Sequence, residues 1–122
     1  MQPLTLWRPM IKGDRTQAEA LLKRIREQAS AEQIRITQHA QQEMVEEGIL
    51  FDDVLEAIAT GHILENYPGH RRGGCCLLCG HSKGCRPLHI VCTTSRPVLI
   101  VITVYEPKPP KWTTPTQRRQ TR

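Results

Sequence analysis

Two histidines and one tyrosine, His39, His89 and Tyr105, are the residues best suited to proton transfer. Cleavage of RNA without a metal needs a base for the ribose 2′-hydroxyl, an acid for the departing 5′-oxygen, and cations for the charge that develops on phosphate. His39 lies in the first turn of a predicted helix, where the helix dipole disfavours imidazolium and favours a neutral base. His89 and Tyr105 lie on neighbouring predicted strands, with the phenol as an auxiliary donor. The set predicts a metal-independent ribonuclease site.

Four cations, Arg71, Arg72, Arg86 and Lys111, are candidate ligands for RNA phosphate. An arginine is well suited to this role because its guanidinium can bind two phosphate oxygens at once.

A purely structural interpretation also stays open for the catalytic candidates. A histidine at a helix start can bond a nearby carbonyl, a strand histidine can pack half-buried, and Tyr105 can close the core beside a proline-rich segment.

A zinc site is a second candidate, in the pattern Cys76-x2-Cys79-x-His81-x3-Cys85. Zinc requires four thiolate or imidazole ligands at tetrahedral angles. If this segment is a strand, however, Cys76 and Cys79 point to opposite faces and cannot share an ion. The alternative is that the five cysteines are thiols, packed in the core or, for Cys79 and Cys85, facing each other across a turn. We therefore favour no metal and keep zinc as a minor alternative.

The charges are divided unevenly along the chain. Residues 67–122 contain ten Lys and Arg and one acidic residue, whereas residues 1–66 contain seven Lys and Arg and eleven acidic residues. A basic half of this kind predicts an anionic partner, such as RNA or an acidic protein segment. The seven acidic residues between Ile36 and His70 are interpreted as a solvated helix face, with Asp52 suited to a helix N-terminus.

The apolar spacing predicts helices first and strands afterwards, which is an α+β fold. We expect N-terminal helices packed on a three- to four-stranded antiparallel sheet. The predicted helices cover residues 14–30 with Asp14 as the N-cap, 37–47 between the caps Thr37 and Gly48, and Asp52 to Gly61. The predicted strands cover residues 62–67, 75–80, 87–93 and 98–105.

This organisation predicts one domain over residues 14–112, preceded by a lead-in segment over 1–13 and followed by a basic flexible tail over 113–122. The first residues lack the pattern of a signal peptide, and the longest apolar run, Val98–Ile102, is too short to span a bilayer. We therefore expect a soluble cytoplasmic protein without a membrane partner.

The ordered motifs of the chain resemble the domain-of-unknown-function 4258 family over about residues 33–112. The residues that carry this resemblance are Ile36-Thr-Gln-His-Ala-Gln-Gln-Glu-Met-Val-Glu-Glu-Gly-Ile49, then Gly61, Glu65 and Tyr67, then Arg86-Pro-Leu-His89, Ile102-Thr-Val-Tyr-Glu-Pro107 and Trp112. That family is grouped with the RelE/ParE-like plasmid toxins, small helix-then-sheet domains that often cleave RNA and are neutralised by an antitoxin. The resemblance implies a RelE-like fold and a toxin-like module, often encoded beside a zinc-finger or helix-turn-helix antitoxin.

Three functions therefore stay open. The first is the toxin component of a toxin–antitoxin pair that acts on RNA, free or at the ribosome, as a metal-independent endoribonuclease. The second is a non-enzymatic module whose cationic sheet binds nucleic acid or protein. The third is a zinc-stabilised regulatory domain.

Overall fold

The computed structural model describes residues 15–70 and 73–119. The predicted lead-in segment 1–13, the predicted cap Asp14 and the end of the basic tail lie outside these ranges. The described residues form helices α1 (Arg15–Ser30), α2 (Gln38–Glu47) and α3 (Phe51–Thr60), and strands β1 (Ile34–Ile36), β2 (His62–Tyr67), β3 (Cys75–His81), β4 (Pro87–Thr93), β5 (Leu99–Tyr105), β6 (Trp112–Thr114) and β7 (Gln117–Arg118).

The main sheet has five strands in the order β1-β5-β4-β3-β2. Strands β2 to β5 form an antiparallel meander, whereas β1 pairs with β5 in parallel, with Ile34 opposite Leu99. The α+β class is confirmed, but the sheet is mixed and larger than the three or four antiparallel strands expected from the sequence. Strand β1 has only three residues, too few to show an alternating pattern.

Helices α2 and α3 begin and end largely where the local signals predict. The hydroxyl of Thr37 accepts a hydrogen bond from the backbone of Ala40 at 3.1 Å, and Gly48 closes α2 with φ of 66°. Helix α3 begins at Phe51, and the carboxylate of Asp53, not that of the expected Asp52, accepts the backbone N–H of Leu50 at 2.9 Å. No helix within the described ranges is long and apolar enough to cross a membrane.

The helices cover one face of the sheet and bury an aliphatic core there. Strands β3, β4 and β5 contribute the central residues Leu78, Leu88, Ile90, Val101 and Val104, all fully buried. Helix α3 lies unusually close to β3 at Gly80. A Cβ atom at that position would stand 2.0 Å from the carbonyl oxygen of Ala57, so the contact requires glycine.

Two acidic residues of α2 accept backbone hydrogen bonds from the edge of β5, beyond the point where β1 ends. The carboxylate of Glu43 accepts the backbone N–H of Val104, and that of Glu47 accepts the backbone N–H of Glu106, each at 2.9 Å. An unpaired backbone donor at this buried edge would be costly. These acids therefore hold α2 against the sheet as well as carrying charge.

The other face of the sheet is covered by a small hairpin, β6–β7, in which Trp112 pairs with Arg118. Trp112 is only 2% exposed. Part of the segment 113–122, which the sequence assigns to a flexible tail, thus forms strands, and its Arg118 side chain reaches Glu65 on the sheet, whereas residues 113–117 are exposed. Its polar sequence conceals this because the packing depends on one indole ring and one ion pair.

Candidate functional site beneath the hairpin

Three residues stand side by side across the hairpin-covered face. His89 on β4 lies directly opposite Cys79 on β3 and directly opposite Tyr105 on β5. Directly opposite residues of antiparallel strands project to the same face. Their neighbours along each strand, such as Leu88 and Ile90, point to the helices instead. The sheet thus places one thiol, one imidazole and one phenol in a row.

Both nitrogens of His89 are engaged, and the ring is fully buried. Its Nε2 lies 2.6 Å from the carbonyl oxygen of Pro115 in the hairpin, and its Nδ1 lies 3.1 Å from the hydroxyl oxygen of Tyr105. A carbonyl oxygen only accepts, so Nε2 carries the proton. In a neutral imidazole Nδ1 is then the acceptor, and the Tyr105 hydroxyl donates to it.

Burial favours the neutral forms of both rings. It lowers the pKa of His89 below the ordinary value, although the Pro115 carbonyl and the charge of Glu65 oppose this. Burial also raises the pKa of Tyr105, while the nearby Trp112 and Arg118 oppose that shift. The pair therefore rests as a phenol donating to a neutral imidazole. If the phenol gives its proton to Nδ1, it can take another proton from a group outside the sheet.

An ion pair between a buried carboxylate and a partly exposed guanidinium fastens the hairpin beside this row. The guanidinium of Arg118 binds both carboxylate oxygens of Glu65, through Nε at 2.5 Å and Nη2 at 2.6 Å. The Glu65 side chain is 3% exposed and also accepts a hydrogen bond from the Tyr67 hydroxyl. Burial and then Glu65 raise the pKa of Tyr67, so its phenol keeps its proton.

Aromatic packing completes the attachment of the hairpin. The ring of Trp112 meets the His89 ring edge-on, with centroids 4.4 Å apart, and the guanidinium of Arg118 lies 4.7 Å from the Trp112 ring centroid. The indole N–H of Trp112 is buried and has no acceptor of normal hydrogen-bond geometry in the described residues, although it lies near enough to Tyr105 to favour the phenolate. Trp112 thus links the ion pair of Glu65 with Arg118, called the latch below, to the row of Cys79, His89 and Tyr105.

The other predicted proton-transfer residue, His39, is not part of this cluster. Its side chain is 66% exposed on α2 and its Nε2 lies 3.4 Å from the carboxylate of Glu43. Helix α2 packs on the opposite face of the sheet through Ala40 and Met44. The sheet therefore separates His39 from His89 and Tyr105.

The predicted phosphate ligands are also dispersed. Arg86 donates to the carboxylate of Glu106 at 2.8 Å and to the carbonyl oxygens of Glu47 at 2.6 Å and Gly48 at 3.2 Å, so it secures the end of α2. Arg71 and Arg72 lie outside the described residues. Lys111 is exposed on the hairpin, and its charge contributes to lowering the pKa of His89.

The zinc pattern is divided between the two faces of β3. Cys76 is fully buried on the helix side, directly opposite Cys92, whereas Cys79 lies on the hairpin side opposite His89. His81 and Cys85 are exposed. This is the arrangement in which Cys76 and Cys79 cannot bind one ion. Across the described ranges, no group of three or more metal-ligating side chains is assembled, and all five cysteines are free thiols.

Sequence reasoning missed Glu65, Pro115 and Arg118 as parts of the site. Glu65 and Arg118 are 53 residues apart in the chain, so no local pattern links them. Pro115 contributes only a backbone oxygen, which no residue type signals. The one available signal was Glu65 itself, an acidic residue within a predicted strand, because such a residue needs a partner when it is buried.

Comparison with known proteins identifies the family of the chain but no characterised relative. No curated protein and no solved structure matches the sequence. The family model for a domain of unknown function, DUF4258, matches residues 36–106, which include Glu65, Cys79, His89 and Tyr105 but not the hairpin. Since this match covers more than half of the sequence, the chain belongs to the DUF4258 family.

Proposed function

We propose that this protein is the toxin-like component of a toxin–antitoxin pair and cleaves RNA without a metal. The observation that carries the proposal is the contact between the Tyr105 hydroxyl and His89 Nδ1, 3.1 Å apart on adjacent strands. The order of helices followed by an antiparallel meander supports a RelE/ParE-like relationship. The antitoxin is proposed as a protein partner, and the ribosome as a further partner.

The chemistry follows from the protonation states of the pair. Tyr105 accepts the proton of the ribose 2′-hydroxyl as it passes its own phenolic proton to Nδ1 of His89. The 2′-oxygen then bonds to phosphorus, the bond from phosphorus to the 5′-oxygen breaks, and water protonates the leaving oxygen. The hydroxide that this leaves takes a proton from Tyr105, which recovers its own from Nδ1 of His89. The imidazolium formed in the first step is stabilised by an acceptor at its Nε2–H; in this structure that acceptor is the Pro115 carbonyl, which favours the charged ring. Tyr105, which is only partly buried, is the member that faces the substrate.

Cations for phosphate are available on the hairpin. Lys108, Lys111 and Arg119 are all exposed there. Backbone hydrogen bonds tie them together, from Trp112 to Lys108 at 3.1 Å and from Arg119 to Lys111 at 2.8 Å. We assign phosphate binding to these three side chains, because Arg86 is engaged in the fold.

The test is incubation of the purified protein with end-labelled RNA in excess EDTA. We expect fragments ending in a 2′,3′-cyclic phosphate, and a loss of rate of about 10²- to 10⁴-fold in Tyr105→Phe and in His89→Gln. His62→Gln, at an exposed position on β2, is the matched control and keeps the wild-type rate. RNA that stays intact both without ribosomes and with ribosomes present contradicts the proposal.

The position of His39 gives this experiment a further use. The sequence predicts that His39 transfers a proton, whereas the structure places it on the other side of the sheet from His89. A normal rate in His39→Gln assigns the base function to the His89–Tyr105 pair alone. A large loss of cleavage rate in that variant would show that His39 takes part in catalysis.

A non-enzymatic interaction module is the second candidate. It is favoured by the complete burial of His89, whose two nitrogens are both bonded within the protein. In that case RNA binds without being cut, and His89→Gln lowers the stability of the fold without changing the affinity for RNA. Fluorescence anisotropy with a labelled RNA in EDTA distinguishes the two functions.

A further inference from the structure

Two side-chain donors of the sheet converge on a single oxygen atom of the hairpin. His89 Nε2 lies 2.6 Å and Cys79 Sγ lies 3.6 Å from the carbonyl oxygen of Pro115. The two donors stand on adjacent strands as directly opposite residues. Burial raises the pKa of Cys79, so its sulfur keeps the proton that it donates.

These donors are fixed by the sheet and not by the hairpin. The Tyr105 hydroxyl orients the His89 ring from the Nδ1 side, and both His89 and Cys79 belong to central strands of the sheet. If the hairpin moves away, the donors stay aimed at the same point. Any oxygen that accepts hydrogen bonds can then take the place of the carbonyl, and an anionic phosphoryl oxygen is the better acceptor.

The hairpin is the part of this arrangement that can move. Strand β6 has three residues and β7 has two, and a two-stranded hairpin of this size is not stable alone. Its attachment depends on the ion pair of Arg118 with Glu65, on the packing of Trp112 and on the two hydrogen bonds that the Pro115 carbonyl accepts. Elements held by so few contacts open at a lower free energy than a core sheet.

We propose that His89 Nε2–H and Cys79 Sγ–H form a binding site for a phosphoryl oxygen of RNA, which the Pro115 carbonyl occupies until the hairpin opens. The inference rests on the proposed function for the identity of the ligand. It adds that the closed hairpin competes with RNA for the site. It also explains how His89, which is fully buried while the hairpin is closed, can bind a substrate.

The experiment removes the latch without changing the net charge. The double variant Glu65→Gln/Arg118→Gln replaces the ion pair with two neutral amides. The matched control is Glu56→Gln/Lys83→Gln, which removes an ion pair of 3.5 Å between α3 and the exposed Lys83. General electrostatic attraction predicts the same RNA affinity for both, because each loses one positive and one negative charge.

Opening is measured first, independently of RNA. In a Trp7→Phe background the fluorescence of Trp112 shifts to longer wavelength when the hairpin leaves the sheet. In a Cys85→Ser background, which removes the exposed thiol, Cys79 reacts faster with a disulfide reagent, as located by peptide mass. We expect both changes in the latch variant and neither in the control.

Affinity is then measured with a short single-stranded RNA by anisotropy. If the hairpin of the wild-type protein is open in about one molecule in ten, full opening tightens RNA binding about tenfold. A peptide nucleic acid of the same base sequence, which lacks phosphate, gains no affinity. Introducing Cys79→Ala and His89→Phe, which remove both donors, into the latch variant abolishes the gain for RNA.

Each remaining outcome overturns a defined part of the proposal. A latch variant whose Trp112 and Cys79 stay protected shows that the ion pair does not hold the hairpin closed. An open hairpin with unchanged RNA affinity shows that the two donors do not form an RNA site. If the double variant does not fold, Arg118→Lys keeps the charge but loses the two-point contact, and the same readouts apply. A gain in binding without RNA cleavage preserves the site and removes only the proposed catalysis.

Discussion

The two faces of the sheet are built from the same strands but differ in the polar groups that they bury. On the helix-covered face, β4 contributes the aliphatic residues Leu88 and Ile90, which are fully buried. On the hairpin-covered face, the same strand contributes His89, equally buried but bonded through both nitrogens. Alternation along a strand assigns each residue to one face or the other. One face therefore supplies the stability of the fold and the other supplies polar groups that can do chemistry.

The two faces also differ in the contacts that the helices and the hairpin must make with them. The helices pack on the sheet mainly through shape and apolar surface, and the directional contacts of α2, from Glu43 and Glu47, lie at the edge of β5. The hairpin must supply specific atoms: a guanidinium for the buried carboxylate of Glu65 and a carbonyl oxygen for His89. A buried carboxylate without such a partner is strongly unfavourable. The helix-covered face should therefore be sensitive to volume, and the hairpin-covered face to hydrogen bonding and pH.

The largest expected effect is on the helix-covered face, from Gly80→Ala. The added Cβ would lie 2.0 Å from the carbonyl oxygen of Ala57, and this oxygen belongs to the backbone of α3 and cannot rotate away. The helix must therefore shift from the sheet. We expect a loss of about 3 kcal/mol or more in the free energy of unfolding, at the upper end for overpacked cores. Urea unfolding followed by circular dichroism measures it.

The matched control for that change is Gly84→Ala, in the turn between β3 and β4. A Cβ there meets no atom within 4 Å, so the free energy of unfolding should change by no more than about 0.5 kcal/mol. Equal stability of the two variants would show that α3 can move away from β3 easily. The helix-covered face would then not be the rigid partner in this comparison.

A smaller loss is expected on the hairpin-covered face from Trp112→Ala. The indole is buried against His89, and removal of a buried tryptophan usually destabilises a protein by about 3–5 kcal/mol. We expect a loss of only about 2 kcal/mol in the free energy of global unfolding, because the hairpin can detach while the helix-covered core stays intact. Hydrogen exchange of the Arg119 amide, which bonds to the Lys111 carbonyl, should speed up much more than exchange within β4.

Thr116→Ala is the control for the hairpin, since its side chain is exposed in the turn between β6 and β7. It should leave exchange in β4 and the free energy of unfolding nearly unchanged. If Trp112→Ala instead accelerates exchange in β4 as much as at Arg119, the hairpin and the sheet unfold together. In that case the two faces would form one cooperative unit.

The sequence predicts the two faces unequally well, for a physical reason. The caps of α2, Thr37 and Gly48, are local signals and are confirmed. The strand positions of His89 and Tyr105 are also confirmed, because β4 and β5 are rich in β-branched residues. Strand β1 was missed because three residues carry no period. The hairpin contacts were missed because they join distant polar residues, and polarity alone predicts exposure.

The smallest expected effect is the pH dependence of stability that His89 contributes. Burial lowers the pKa of His89 in the folded protein from its ordinary value of 6.5, so the unfolded chain binds more protons near that pH. The stability from neutral His89 is therefore complete above pH 6.5 and is lost as the pH falls through the lowered folded-state pKa. The effect is small because the Pro115 carbonyl and Glu65 oppose burial. Denaturation in urea between pH 8 and pH 5 should show a steeper loss for wild type than for His89→Gln, which cannot titrate but can still donate to Pro115. Parallel pH profiles would mean that the imidazole is no more costly to protonate on this face than in water, and the assignment of a neutral, proton-accepting His89 would fail with it.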